Sequence, residues 1–125
     1  MQATFVTAAL AVVVAASLSI PTSADDAFQP ITSEGRFRDA VVDRKLAWGG
    51  RATMTIGGSG RVSGIVSGRA IAGAWEWRNS MYCRELDGRG SLPSVDCETV
   101  ALKNETVRFT GDAGQGTARD WRVTP

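Results

Sequence analysis

The residues able to do chemistry are two cysteines, thirteen carboxylates and a close-spaced set of aromatic and arginine side chains; the chain has no histidine. Without histidine, Ser-His-Asp and Cys-His catalysis are excluded, as are most zinc and copper sites. Cys83 and Cys97 are the only cysteines. They lack Cys-x-x-Cys spacing and have no histidine to activate a thiolate, so a reactive pair is the poorer reading. In an exported chain an even count reads as a disulfide. The bridge would close a loop of about 15 residues, worth on the order of 3 kcal/mol in the chain-entropy model. With both sulfurs paired no soft metal ligand remains, and neither a metal nor a cofactor is expected.

The densest constellation is Gly73-Ala74-Trp75-Glu76-Trp77, followed by Tyr82-Cys83-Arg84 and Cys97. Side chains two apart on a strand share a face. Trp75 pairs in this way with Trp77, and Tyr82 with Arg84. Trp121 lies near the C-terminus. As a ligand site, Trp75, Trp77, Tyr82, Arg84 and Trp121 offer flat stacking surfaces and one anion-holding guanidinium. As a core, the same tryptophans fill a small barrel, where Trp is heavily buried.

The carboxylates divide by register. Alternation puts Glu76, Asp96 and Glu98 opposite the apolar face, hence on a solvated one. Glu85 and Asp120 can face inward, where each would pair with an arginine such as Arg84, Arg119 or Arg122. No catalytic residue is assigned, because no nucleophile–base arrangement is visible. Gly58-Ser59-Gly60-Arg61-Val62-Ser63-Gly64 approaches a dinucleotide fingerprint, but its last glycine is displaced and a strand follows where a helix is required. Hairpin turns explain it better.

The elements that position these residues are short strands. Thr32 and Ser33 are N-cap candidates, and Phe37, Ala40 and Val41 fall at helical spacing, predicting one helix over Ser33–Asp43. Beyond Lys45 the period is two. Strands are expected at 51–56, 61–67, 71–77, 81–87, 95–102, 105–110 and 117–123, with 45–48 as an eighth. Cys83 and Cys97 then lie on consecutive strands, facing the core if Met81 and Val95 do. Turn signals every 8 to 12 residues define an all-β chain with one short N-terminal helix. The architecture is an antiparallel meander of seven to eight strands, closed as a small barrel or stacked as a sandwich.

Residues Phe5 to Ile20 form an apolar run with no charge before Asp25. It is too short to span a bilayer, and Thr22-Ser23-Ala24 supplies the small residues of a cleavage site. The expected organisation is a signal peptide over 1–24, a flexible lead-in over 25–32 and a single β domain over 33–125. Removing 24 of 125 residues leaves 101. The expected location is periplasmic or secreted, with no stable membrane insertion after cleavage. The side-chain balance is +1 with its charges scattered, so there is no electrostatic reason to expect nucleic acid as partner.

The Gly-x-Trp-x-Trp … Tyr-Cys-Arg … Cys pattern resembles that of small exported bacterial β-domain proteins, over about Phe37 to Val123. Some of those bear the name dihydrodipicolinate reductase. Such a reductase resembles a nucleotide-binding α/β domain joined to a second domain, with histidines in its catalytic stretch. This chain has no fingerprint, no histidine and less than half the length. Gly73-x-Trp75 with a late Trp121 also resembles the calycin barrels, the lipocalin and avidin-like proteins. The expected function is therefore an exported, non-enzymatic binding domain for a small molecule. The alternatives are a protein-binding envelope module or inhibitor, docking through the Gly88–Pro93 loop or a sheet edge, and an enzyme as the reductase name implies.

Overall fold

The structure, a computed structural model, describes residues 2–5, 7–17, 27–87 and 92–125. The expected cleavage site at Thr22–Ala24, the start of the expected lead-in and residues 88–91 of the expected docking loop lie outside them. No helix among the described residues is long and apolar enough to cross a membrane.

The chain forms β1 (Gln29–Ile31), α1 (Glu34–Ala40), β2 (Lys45–Trp48), β3 (Ala52–Ile56), β4 (Arg61–Val66), β5 (Arg69–Arg78), β6 (Met81–Leu86), β7 (Val95–Lys103), β8 (Thr106–Thr110) and β9 (Ala118–Thr124). Each strand from β2 to β9 pairs antiparallel with the next, and β9 pairs back onto β2. The result is a closed eight-stranded barrel, which settles the choice against a sandwich. Closure removes the exposed edges of an open sheet. The eighth strand, 45–48, is real and makes the closing contact. β1 is additional: it pairs with Val100–Leu102 of β7, while β6 pairs with Val95–Glu98. The lead-in is thus shorter than the sequence suggests, since Gln29–Ile31 is strand and Ile31 is buried.

Local chemistry explains the turns. Ser67-Gly68 and Asn79-Ser80 both take positive φ, the two-residue geometry that matches strand twist. Gly64 and Gly73 share the inward register with Val62, Val66, Ile71 and Trp75. A side chain at Gly64 would collide with the Thr53 carbonyl, and one at Gly73 with that of Glu85. These two glycines let adjacent strands bend tightly enough to close the barrel.

One end of the barrel is closed by α1. Ser33 caps it by accepting from Arg36 N at 3.3 Å, and Glu34 pairs with Arg38 at 3.0 Å. The helix is shorter than the 33–43 expected from sequence. Val41 is its C-cap, and Asp43 takes positive φ and accepts from Gly58 N at 2.8 Å. That bond ties the helix exit to the β3–β4 loop. The inner face of α1 delivers Phe37, which has no exposed surface. Its ring meets Trp75 at 5.4 Å, Trp77 at 5.0 Å, Tyr82 at 5.6 Å and Phe109 at 6.4 Å. The core continues through Leu46, Ile56, Val62, Val66, Val107 and Trp121, all inward and buried. An eight-stranded barrel has an interior that side chains of this size can fill.

Candidate functional site at the loop end

The opposite end carries the β2–β3 turn, the β4–β5 turn, the β6–β7 connection and the 111–117 loop. Here the inward register turns polar. β6 sends Tyr82, Arg84 and Leu86 inward, and β7 sends Asp96, Glu98 and Val100. Tyr82 stands opposite Glu98, and Arg84 opposite Asp96. Between them, on the outer face, Cys83 stands opposite Cys97 and the two are joined by a disulfide. The bridge thus lies on the outside, with half-buried Met81 and exposed Val95.

This register corrects the expectation for β7. Glu98 was expected on a solvated face and is instead 4% exposed, inside the barrel. Asp96 also faces inward and is half-buried, whereas Glu76 is exposed as alternation requires. Glu85 and Asp120 are exposed too, and Asp120 pairs with Arg108 at 2.7 and 3.0 Å rather than with Arg84, Arg119 or Arg122. That pair holds the Asp120 carboxyl below its usual range.

Arg84 is the central group. Its side chain is 2% exposed and that of Glu98 is 5% exposed, with Nε and Oε2 3.7 Å apart. That separation is an ion pair but too long for a hydrogen bond. Arg84 Nη1 donates to the Pro93 carbonyl, while Nη2 has no partner among the described residues. The Tyr82 hydroxyl is likewise buried without one. A buried donor without a partner costs about 1–3 kcal/mol, more when charged. Burial raises the Glu98 carboxyl to about 7, with Arg84 opposing the rise, Asp96 adding to it and Arg119 opposing it. Burial pushes the Tyr82 phenol up as well; Glu98 adds to that shift and Arg84 opposes it.

Above this cluster lies a rim. Trp48 is half-buried and rests on Trp121 with ring centroids 5.8 Å apart. The Arg51 and Arg119 guanidiniums approach the Trp48 ring at 5.7 and 5.9 Å. Beside the rim is a cleft of about 340 Å³ lined by Pro93, Asp96, Asp112, Thr117 and Arg119. Asp96 Oδ1 accepts from Asp112 N at 2.9 Å. That bond holds Asp112 and Ala113 in left-handed backbone, φ 52° and 53°, which costs on the order of 1–3 kcal/mol per residue. A second concavity, about 320 Å³, lies on the outer face over the disulfide, between Glu76, Arg78, Glu85 and Val95. Arg78 there reaches Glu76 at 2.9 Å and Cys97 Sγ at 3.6 Å.

The five residues proposed from sequence do not gather in one place. Trp75, Trp77 and Tyr82 surround Phe37 at the helix end. Trp75 Nε1 donates to the Gly57 carbonyl at 2.8 Å, and Arg38 covers its face at 5.0 Å. Arg84 points into the loop-end half, and Trp121 lies beneath Trp48, 2% exposed. Sequence reasoning missed Trp48, Arg119 and Glu98. For Glu98 the signal was present: Asp96, Glu98, Val100 and Leu102 share one register, and its two apolar members mark it as the inward one. Trp48 ends a strand directly before Gly49-Gly50-Arg51, a rim position.

Among the described residues no group of three or more His, Cys, Asp or Glu is placed to hold a metal ion. The chain matches no protein-family model, no curated protein and no solved structure.

Proposed function

We propose that this chain is an exported, non-enzymatic binding barrel that receives a small molecule at its loop end. The observation that carries the proposal is the difference in what the two ends offer. The helix end is filled by Phe37 and its aromatic neighbours. The loop end presents half-buried Trp48 between two guanidiniums, above the buried Arg84–Glu98 pair. Ligand sites in barrels favour such mouths, with apolar walls and a few convergent polar groups. The apolar leader and the disulfide support export, because such bridges persist in oxidising compartments.

The test is two-dimensional NMR of the disulfide-bonded protein against mixtures of small aromatic compounds. Shifts are expected at Gly49–Arg51, Asp96 and Gly111–Arg119. Shifts centred on α1, or none with any mixture, would contradict the proposal. Export is checked by the N-terminal sequence of protein recovered from the periplasm or medium, expected to begin at Asp25.

A second reading has its own observation. Val95 and Ile65 are 68% and 53% exposed on the outer wall, and Val95 borders the concavity over the disulfide. Exposed apolar residues beside a groove suit a protein partner. A Val95→Lys variant that keeps small-molecule binding but loses a co-purifying partner would favour this reading.

A further inference from the structure

Disulfides that solvent can reach, beside a cation, are the exchangeable ones, whereas deeply buried sulfurs are inert. The Cys83–Cys97 bridge lies on the outer face of β6 and β7 and lines the concavity of about 320 Å³. Its two sulfurs differ in setting. Cys83 is 4% exposed, while Cys97 is half-buried. Arg78 reaches across from β5. Its Nη1 donates to Glu76 Oε1 at 2.9 Å, and its Nη2 lies 3.6 Å from Cys97 Sγ. Glu76 therefore orients a guanidinium whose other edge meets one sulfur of the bridge. Both side chains of that pair are exposed, so the cation is open to an incoming anion.

We infer that the concavity is a thiol–disulfide exchange site, at which a small thiol attacks Cys97 Sγ and Arg78 steers the reaction to that sulfur. The full reductant is a dithiol. In the first step its thiolate bonds to Cys97 Sγ and the bond between the two cysteine sulfurs breaks. The electron pair leaves on Cys83, which takes a proton from water. In the second step the other thiol of the reductant gives its proton to water and attacks its own sulfur in the mixed disulfide. Cys97 then leaves as a thiolate beside Arg78. The dithiol is oxidised to a cyclic disulfide and the bridge is reduced to two cysteines.

Arg78 acts on both steps. A positive charge draws the attacking thiolate to the nearer sulfur, and a guanidinium beside a cysteine favours its thiolate form. A thiolate stabilised in this way is also the faster leaving group. The pairing of β6 with β7 holds Cys83 opposite Cys97, so the bridge re-forms in place when an oxidant returns. The inference does not depend on the loop-end proposal, which uses the inner face of the barrel.

The experiment treats the folded, oxidised protein with mercaptoethanol, a monothiol that takes the first step alone, and quenches early with iodoacetamide. Mass spectrometry is expected to find the mercaptoethanol adduct on Cys97 and the carbamidomethyl group on Cys83. Arg78→Gln, at an exposed position, should slow reduction by dithiothreitol about threefold, the size of an exposed charge interaction. High salt should shrink that difference, which a purely structural role of Arg78 would not show. An adduct on Cys83, no adduct in the folded protein, or equal rates for the two proteins would overturn the inference. So would a reduction rate that rises in step with global unfolding in dilute urea, because exchange would then belong to the unfolded chain.

Discussion

The two ends of the barrel solve the same problem, a tube of sheet that must be filled, with different chemistry. At the helix end the filler is a side chain from outside the meander: Phe37 enters from α1 and is ringed by Trp75, Trp77, Tyr82 and Phe109. Three hydrogen bonds tie that end together. Trp75 Nε1 donates to Gly57, Arg38 Nη1 donates to Gly58, and Gly58 N donates to Asp43. At the loop end the filler is a buried ion pair with spare donors and a half-covered tryptophan. Tyr82 joins the two regions, its ring packed on Phe37 and its hydroxyl without a partner among the described residues. The difference teaches that an apolar plug consolidates one end, while the polar end retains groups whose hydrogen bonds are unspent. Unspent hydrogen bonds inside a protein are costly, and a binding site is one reason to retain them.

The comparison can be broken most forcefully at the plug. Phe37→Ala should cost about 3–5 kcal/mol, the range for emptying an aromatic site in a core. Guanidinium unfolding of the oxidised protein measures it. A loss below about 1 kcal/mol would mean that α1 covers the barrel without holding it together. Removing Arg84 is the matching change at the other end. Arg84→Met should cost about 3–5 kcal/mol at pH 8, because it leaves Glu98 buried without a counter-charge. The loss should shrink at pH 5, where Glu98 is neutral. The double variant Arg84→Met/Glu98→Leu should recover most of it, as replaced buried pairs do. Equal losses at both pH values would show that Arg84 acts by packing alone.

The disulfide sharpens the contrast, since it staples β6 to β7 on the wall of the polar half. Cys83→Ala/Cys97→Ala should lower stability by about 3 kcal/mol. Amide exchange should then quicken first in β6 and the start of β7, and last around Phe37. Uniform quickening would argue against two separable regions.

The pH profile tests Glu98 itself, with an effect of about the size of the disulfide's. Glu98 has a folded-state value of about 7 against the ordinary 4.5. Between those values the folded protein holds the proton more often than the unfolded chain does. Stability from this group is therefore complete below about pH 4.5 and declines up to about pH 7. The decline amounts to roughly 3.5 kcal/mol at about 1.4 kcal/mol per unit. Asp120 acts in the opposite sense: its lowered value adds stability above the ordinary carboxylate range that fades as acid protonates it. Subtracting the profile of Glu98→Gln from that of the natural protein isolates the Glu98 contribution. An unchanged difference from pH 4 to 8 would remove Glu98 from the interior.

Most of the architecture was legible in the sequence. Period-two runs separated by Gly, Asn and Ser turns place β3 to β9, and the helix around Phe37 follows from its spacing and its Ser33 cap. The placement of Cys83 and Cys97 on adjacent strands was legible for the same reason. Closure was not, because the pairing of Lys45–Ala47 with Arg122–Thr124 joins residues nearly a whole domain apart, and nothing local encodes it. β1 was hidden too, as three residues with Pro30 at their centre carry no period. The inward face of β7 was misjudged because Val95 and Cys97 look like core. Val95 is in fact exposed, and Glu98 is buried because Val100, two residues on, fixes the register. The candidate site was half legible. Arg84 stood out from its neighbours, but its counter-ion Glu98 comes from β7, and the rim residues Trp48 and Arg119 come from β2 and β9 and meet each other only when the barrel closes.

The most direct measurement of the account is the side-chain carboxyl ¹³C titration of Glu98 in the oxidised protein. A charged, buried interior at the loop end predicts a midpoint near 7, falling in the presence of no other change than mutation of Asp96 to Asn, since Asp96 helps to raise it. A midpoint at or below the ordinary 4.5 would place Glu98 in water or in a full hydrogen-bonded salt bridge, and would contradict the picture of an open, under-satisfied end.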